Sequence, residues 1–291
     1  MKVFVQYVIS GIGTGAIYAL IAMGFSIVYK GTKSINFAQG EYVAVSGILA
    51  SEFVAHGLAL WLAAIIVIII GVGMGLLTEL IAIRFLRRPD PLTITIGTVG
   101  ISLVVDSTMI YLTKGSTYSL PYFSKSLAVQ LPGGAYLSTQ TIWNVGIALV
   151  AMVVVGWFYR STRRGTALRA ASDDATMASS FGVSKGSATM WVFGLGGGLA
   201  AIAGIAITPV TLMASTQATQ ISVIGFAAAM LGGLNSLSGA VLGGLLLGIS
   251  QSLIGGYVSA TYVTTWAFLI LIAVLLLRPS GLIGSRVVER V

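Results

Sequence analysis

Apolar residues run along this chain in stretches of membrane-crossing length. They fall at about 3–29, 42–56, 58–83, 92–113, 141–159, 188–208, 220–234, 238–256 and 261–277, with polar breaks between them. A helix needs about 20 apolar residues to cross a bilayer core of about 30 Å. No Asp, Glu, Lys, Arg or His interrupts 3–29 or any of 186–277, and the latter run has room for three or four crossings. The Ser/Thr/Gln-rich piece 208–222 and short breaks near Asn235 and Tyr257 divide it. The pattern predicts an all-α, polytopic transmembrane helical bundle of about eight to nine spans, with room for broken or re-entrant helices. One membrane domain is expected over residues 1–291. The first stretch exceeds the 7–15-residue core of a cleaved signal peptide and is read as a retained span.

Composition sharpens this picture. The chain is 56% hydrophobic and 8% charged, with a mean hydropathy of +0.98. Soluble domains carry about 25% charged residues, so lipid must cover most of this surface. In a soluble protein the net charge of +8 would suggest nucleic acid. Here the basic residues gather in the polar breaks and are not interleaved with aromatic residues, which excludes a nucleic-acid partner. With no cysteine, disulfides and thiol chemistry are excluded. The single histidine, His56, is read as a water-facing or capping residue, and no metal site is expected.

The basic residues also orient the chain, because cytoplasmic loops carry an excess of Lys and Arg. Lys30 and Lys33, then Arg84, Arg87 and Arg88, then Arg160, Arg163, Arg164, Arg169 and Lys185, and finally Arg278, Arg286 and Arg290 mark cytoplasmic segments. The C-terminus is therefore expected in the cytoplasm. The loop at about 114–140 has only Lys114 and Lys125 and is expected in the periplasm. The N-terminus lies outside if 3–29 crosses once and Ile35–Glu41 is a cytoplasmic turn. It lies inside if Ile35–Glu41 begins a re-entrant piece.

Two segments carry candidate chemistry. Ser34–Glu41 places Asn36, Gln39 and Glu41 between two apolar runs. It reads either as a half-helix lining a path or as a turn with Glu41 at a helix start. Asp106 also lies inside an apolar stretch and must face protein or a cavity. Glu79, five residues before Arg84, is expected to pair with it. The second segment, about 160–187, is the longest charged stretch. Ala167, Ala170, Ala171, Ala175 and Ala178 support a short helix there, opened by Gly165 and closed by Gly182. An Ala-rich helix at a membrane surface suits docking on a partner protein.

Glycine spacing adds packing information. Gly11 and Gly15, Gly71 and Gly75, Gly194 and Gly198, and Gly244 and Gly248 stand four apart, as in close helix contacts. The denser cluster Gly232, Gly233, Gly239, Gly243 and Gly244 is expected both to pack helices and to break one within the membrane. No Gly-rich loop ending in Gly-Lys-Ser/Thr is present, so ATP binding by a P-loop is not expected. No catalytic constellation is legible, and an enzyme is disfavoured.

Four segments together resemble the permease subunits of branched-chain amino acid ABC importers, of the LivH type. They are Gly15–Gly24 with Ile35–Glu41; Arg164–Ala170 with Asp174, Ala178 and Gly182; Leu231–Ala240 with Gly243 and Gly244; and Leu277–Gly284. The resemblance covers nearly the whole chain, with Gln39 where the family often has His. It implies a heterodimer with a second permease of the LivM type, two cytoplasmic ATPases and a periplasmic substrate-binding protein. ATP and magnesium would be bound by the ATPases, and this chain would hold no cofactor. Gly165, Arg169, Ala170, Asp174, Ala178 and Gly182 would form the surface that couples to the ATPases. Asn36, Gln39 and Glu41, with Asp106, are the candidates for the path. The implied cargo is Leu, Ile or Val; another amino acid, urea or a short organic acid would suit the same class of importer. An ion-coupled secondary transporter is the less favoured alternative, because it would usually carry more intramembrane charge.

Overall fold

The structure, a computed structural model, describes residues 2–84, 86, 90–125, 128–130, 136–173, 175–182, 184–278 and 280–284. Arg87, Arg88, Asp174, Arg286 and Arg290 lie outside the described residues. The helices are α1 (Lys2–Thr32), α2 (Gln39–Ala55), α3 (Leu60–Thr78), α4 (Pro91–Thr113), α5 (Thr139–Ser161), α6 (Arg163–Asp173), α7 (Ala175–Ser180), α8 (Lys185–Ile207), α9 (Ala218–Gly232), α10 (Leu237–Tyr257) and α11 (Val263–Leu277). A π-helical turn, Glu79–Ile83, extends α3, and β1 (Ala128–Gln130) pairs with β2 (Tyr136–Ser138) as a small antiparallel hairpin. Each of the nine apolar stretches is a helix. Seven helical segments among the described residues are long and apolar enough to cross a membrane. The other two, α2 with 17 residues and α9 with 15, are short.

The bundle has two distinct ends. Lys30, Arg84, Arg160 and Arg278 close helices at one of them, here the basic end. The hairpin lies at the other, and the Gln6 side chain holds the start of α1 there through two 2.8 Å hydrogen bonds to the Tyr136 backbone. His56 is exposed just after α2, its Nδ1 2.8 Å from the Glu52 carbonyl oxygen.

Glycine determines how closely the long helices approach. A Cβ added to Gly248 would lie 2.3 Å from the Gly15 nitrogen, and one on Gly75 would lie 2.1 Å from the Phe193 carbonyl oxygen. Thus α1 runs against α10, and α3 against α8, with almost no side chain between them. Lipid offers helices no hydrophobic gain on association, so dispersion at such short range holds them together.

The same arrangement occurs twice in opposite senses. In the first half a long helix (α1), a break, a short helix (α2) and two further spans (α3, α4) follow one another. In the second half α8, a break, α9, α10 and α11 repeat this order from the other side. The contact of α1 with α10 is mirrored by that of α8 with α3, and the two short helices meet each other.

Three features differ from the sequence reading. The coupling segment is helical on both sides of Asp174, as α6 and α7, but α6 starts before Gly165, where Thr162 Oγ1 accepts from the Gly165 amide at 2.9 Å. Glu79, at 3% exposure, and Arg84 line one cavity and interact electrostatically, but their side chains form no direct ion pair. Instead the Arg84 amide bonds the Glu79 carbonyl, closing the π turn. The glycine cluster does not break a helix in mid-membrane. Gly233, at φ 106°, ends α9 in a turn at the basic end, where Asn235 lies 3.4 Å from Lys33 Nζ. The break inside the bundle is 208–217, which contains no glycine.

Candidate translocation path and coupling surface

Residues 33–38 do not stay at the basic end. They turn back into the bundle, so α2 starts beside Gly24, about 12 Å in from the end of α1. Non-helical backbone at that depth must have its polar groups satisfied by protein. Threonines of α4 supply part of this: Thr95 Oγ1 accepts from the Ile35 amide at 3.2 Å, and Thr98 Oγ1 accepts from the Phe37 amide at 3.1 Å. Ser222 of α9 supplies another part. Its hydroxyl accepts from the Gly40 amide at 2.8 Å and donates to the Phe37 carbonyl at 2.9 Å. One side chain of the second half thus ties down the start of α2. The approach is close, since a Cβ on Gly40 would stand 2.2 Å from the Ala218 carbonyl oxygen.

Asn36 and Gln39 are fully buried here. Asn36 Oδ1 accepts from the Ala38 amide at 3.1 Å, and Gln39 Nε2 donates to the Gly196 carbonyl at 3.0 Å. Both hold backbone in place. Asn36 Nδ2 and Gln39 Oε1 have no hydrogen-bond partner. Glu41, at 2% exposure, has no basic ion-pair partner among the described residues. The acidic group acting on it electrostatically is Asp106 of α4, which is half-buried and has an unpartnered Oδ1. The structure therefore brings Glu41 and Asp106, 65 positions apart in the chain, into one neighbourhood.

The second break falls in the piece 208–222, which the sequence marked as a divider between spans but not as a segment that enters the bundle. Thr208 touches Gly47, Met213 pairs through its backbone with Tyr118, and Ala218 reaches Gly40. The segment therefore enters the bundle from the hairpin end, and α9 starts at the depth of α2's first turn. Thr216, Thr219 and Gln220 are exposed on the outside of the chain at that depth, with Gln220 Nε2 3.3 Å from Thr264 Oγ1. Exposed polar groups at mid-depth face water or another subunit rather than lipid. The Ser/Thr/Gln-rich composition of 208–222 was the available signal.

At the basic end α6 is seated firmly on the spans. A Cβ on Gly165 would lie 2.1 Å from the Phe158 carbonyl oxygen, Leu168 is buried at 4%, and the Arg164 guanidinium stacks 4.5 Å from the Trp191 ring centre. Gly165 and Ala178 face inward, Arg169 is half-buried, and Ala170 and Gly182 face out. Gly182 has φ +83° and follows α7. Asp174 lies outside the described residues. Beside Gly182, Phe181 is 85% exposed, with Met177 at 62% one turn earlier. The alanine count overlooked this apolar pair.

Comparison with known proteins gives a consistent result. The profile of the family described as "Branched-chain amino acid transport system / permease component" matches residues 7–278. The high-affinity branched-chain amino acid transport system permease protein LivH of Salmonella typhimurium is 33% identical, covering 99% of this chain and 98% of that protein. BraD of Pseudomonas aeruginosa, a permease of the same description, is 31% identical over 99% and 98%. The probable LivH protein of Methanocaldococcus jannaschii is 28% identical over 91% and 88%.

Proposed function

This chain belongs to the permease-component family of branched-chain amino acid transport systems, and from that premise we propose that it forms one half of an importer's pore. The other half is a second permease of the LivM type, and two cytoplasmic ATPases and a periplasmic binding protein complete the assembly. The cargo is a branched-chain amino acid, as the names of its relatives indicate for them. The observation that carries this reading is the full-length match, joined to a polytopic bundle with a rigidly seated α6 at its basic end. The basic end is cytoplasmic under the positive-inside rule, which puts the C-terminus in the cytoplasm and the N-terminus outside. ATP and magnesium belong to the ATPases, and this chain has no catalytic role of its own.

Alternating access suits the geometry. Closure of the ATPase pair moves α6 and α7. Because Gly165 seats α6 directly on α5, the motion reaches the spans instead of being absorbed in a loop. Contacts through glycine along α1, α10, α3 and α8 interlock few side chains, so these helices slide at low cost. The seam between permeases includes the exposed first turn of α9, with Thr219 and Gln220. Glu41 and Asp106 place carboxyl oxygens beside it, which accept hydrogen bonds from the ammonium end of a zwitterion. Asn36 and Gln39 position the α2 start rather than contact cargo.

Reconstitution tests the reading. Liposomes with this chain, a LivM-type partner, the ATPases and the binding protein should take up leucine only with ATP. Uptake by this chain alone, without ATP, would overturn it in favour of a secondary transporter. Within that system Glu41→Gln keeps the shape and removes the carboxyl. Losing one charged interaction of this kind is worth about 1.5–3 kcal/mol, so uptake should fall at least about tenfold. Unchanged leucine uptake would remove Glu41 from the path.

A further inference from the structure

A cavity of about 870 Å³ at the basic end has no role in the reading above. Its walls come from α1, α5, α6 and the start of α10. Lys30, Arg160 and Arg169 line it. Among the described residues none of the three is in an ion pair, the one such pair there being His56 with Glu52. Two further donors wait without partners: Arg169 Nε, and the hydroxyl of Tyr159, a residue only 5% exposed. Ser236 and Ser238 line the cavity where α10 begins, at the positive end of a 21-residue helix dipole. Three clustered cations, Arg160 exposed and Lys30 and Arg169 half-buried, with unspent donors beside them in one cavity, call for an anion rich in acceptor oxygens.

The apolar wall narrows the choice of anion. Met152, Val153, Gly156 and Trp157 continue the lining along α5 toward mid-membrane, directly below Arg160 and Ser161. These positions recur at intervals of about four and so share one helix face. Val153 is 64% and Trp157 61% exposed on it. A soluble phosphate would leave that face uncovered, whereas a lipid phosphate brings its own chain. Trp157, one turn below the cations, has the amphipathic ring common at headgroup depth.

We propose that this cavity binds the phosphate of an anionic phospholipid, with an acyl chain lying along Met152, Val153 and Trp157. Its cations come from three elements: Lys30 from α1, Arg160 from α5 and Arg169 from α6. A bound headgroup therefore clamps the coupling helix to two spans, and the anionic lipid content of the membrane tunes that clamp.

Native mass spectrometry of the full chain in neutral detergent tests this, with phosphatidylglycerol and phosphatidylcholine of identical acyl chains. Phosphatidylglycerol should bind at least about tenfold more tightly, as expected for basic pockets facing anionic lipid. The preference should vanish in the Lys30→Gln/Arg160→Gln double variant. It should persist in Arg160→Lys, and in Arg163→Gln, whose side chain does not line the cavity. Equal binding of the two lipids, or a double variant that keeps the preference, would overturn the proposal. Displacement of phosphatidylglycerol by glycerol 1-phosphate at matched concentration would overturn it in favour of a soluble phosphate. Loss of the lipid from this site on assembly with the ATPases would assign the cations to acidic residues of that partner.

Discussion

Phe181→Ser is expected to cut ATP-driven uptake by about thirtyfold or more while leaving the chain correctly inserted. Phe181 is 85% exposed at the end of α7, and Met177 presents a second apolar side chain one turn earlier. Neighbouring apolar residues on an aqueous surface mark an interaction site more often than chance. The inner face of the same element is already occupied, with Leu168 at 4% and Ala178 at 4% exposure. Substitution at Phe181 therefore leaves the seating of α6 and α7 on the spans intact. An aromatic anchor in a protein interface contributes about 2 kcal/mol or more, which converts to about thirtyfold in ATPase affinity. Co-purification of the ATPases and uptake should fall together. Phe181→Leu should keep most of both, because an apolar side chain still fills the partner's pocket. Wild-type uptake by Phe181→Ser would show that this surface does not couple.

How much of this was legible in the chain differs by element. The nine apolar stretches correspond to nine helices because lipid imposes a length and a polarity that no local preference overrides. Glycine spacing was equally informative, since a missing Cβ has a direct geometric consequence at Gly15, Gly75 and Gly248. The breaks were harder. Ser34–Glu41 stood out because it carries a charge, whereas 208–217 carries none and resembled an ordinary loop. Its depth depends on contacts with Gly40 and Gly47, 178 and 161 positions away, which no local pattern encodes. Likewise nothing in α9 marks Ser222 as the residue that secures α2, and nothing in α4 marks Thr98 as the partner of Phe37. The Glu79–Arg84 pair was legible only in part. Spacing along the chain brought the two to one cavity, where they interact electrostatically, but with Glu79 buried beside the π turn they form no direct ion pair.

Gly40→Val should abolish most transport, because it strikes the point where the two halves of the chain meet. The added Cβ would stand 2.2 Å from the Ala218 carbonyl oxygen and 2.3 Å from Ser222 Oγ. The first of these is backbone, so no rotamer change relieves it, and α2 must move away from α9. That movement breaks the Gly40–Ser222 and Ser222–Phe37 hydrogen bonds, each worth about 1 kcal/mol net. Overpacking adds about 1–3 kcal/mol. The glycine-lined contacts of α1 with α10 and of α3 with α8 are remote from this clash, so the bundle should still assemble. Uptake should fall more than about tenfold, and thermal unfolding of the purified chain should shift down by about 6–12 °C. Ser222→Ala removes the same bridge without any clash, and should lose less activity than Gly40→Val. Gly73→Val, where a Cβ meets nothing within 4 Å, should be silent and serves as the control. If Gly40→Val transports like the wild type, the meeting of the two half-helices is packing alone, and the path must run elsewhere.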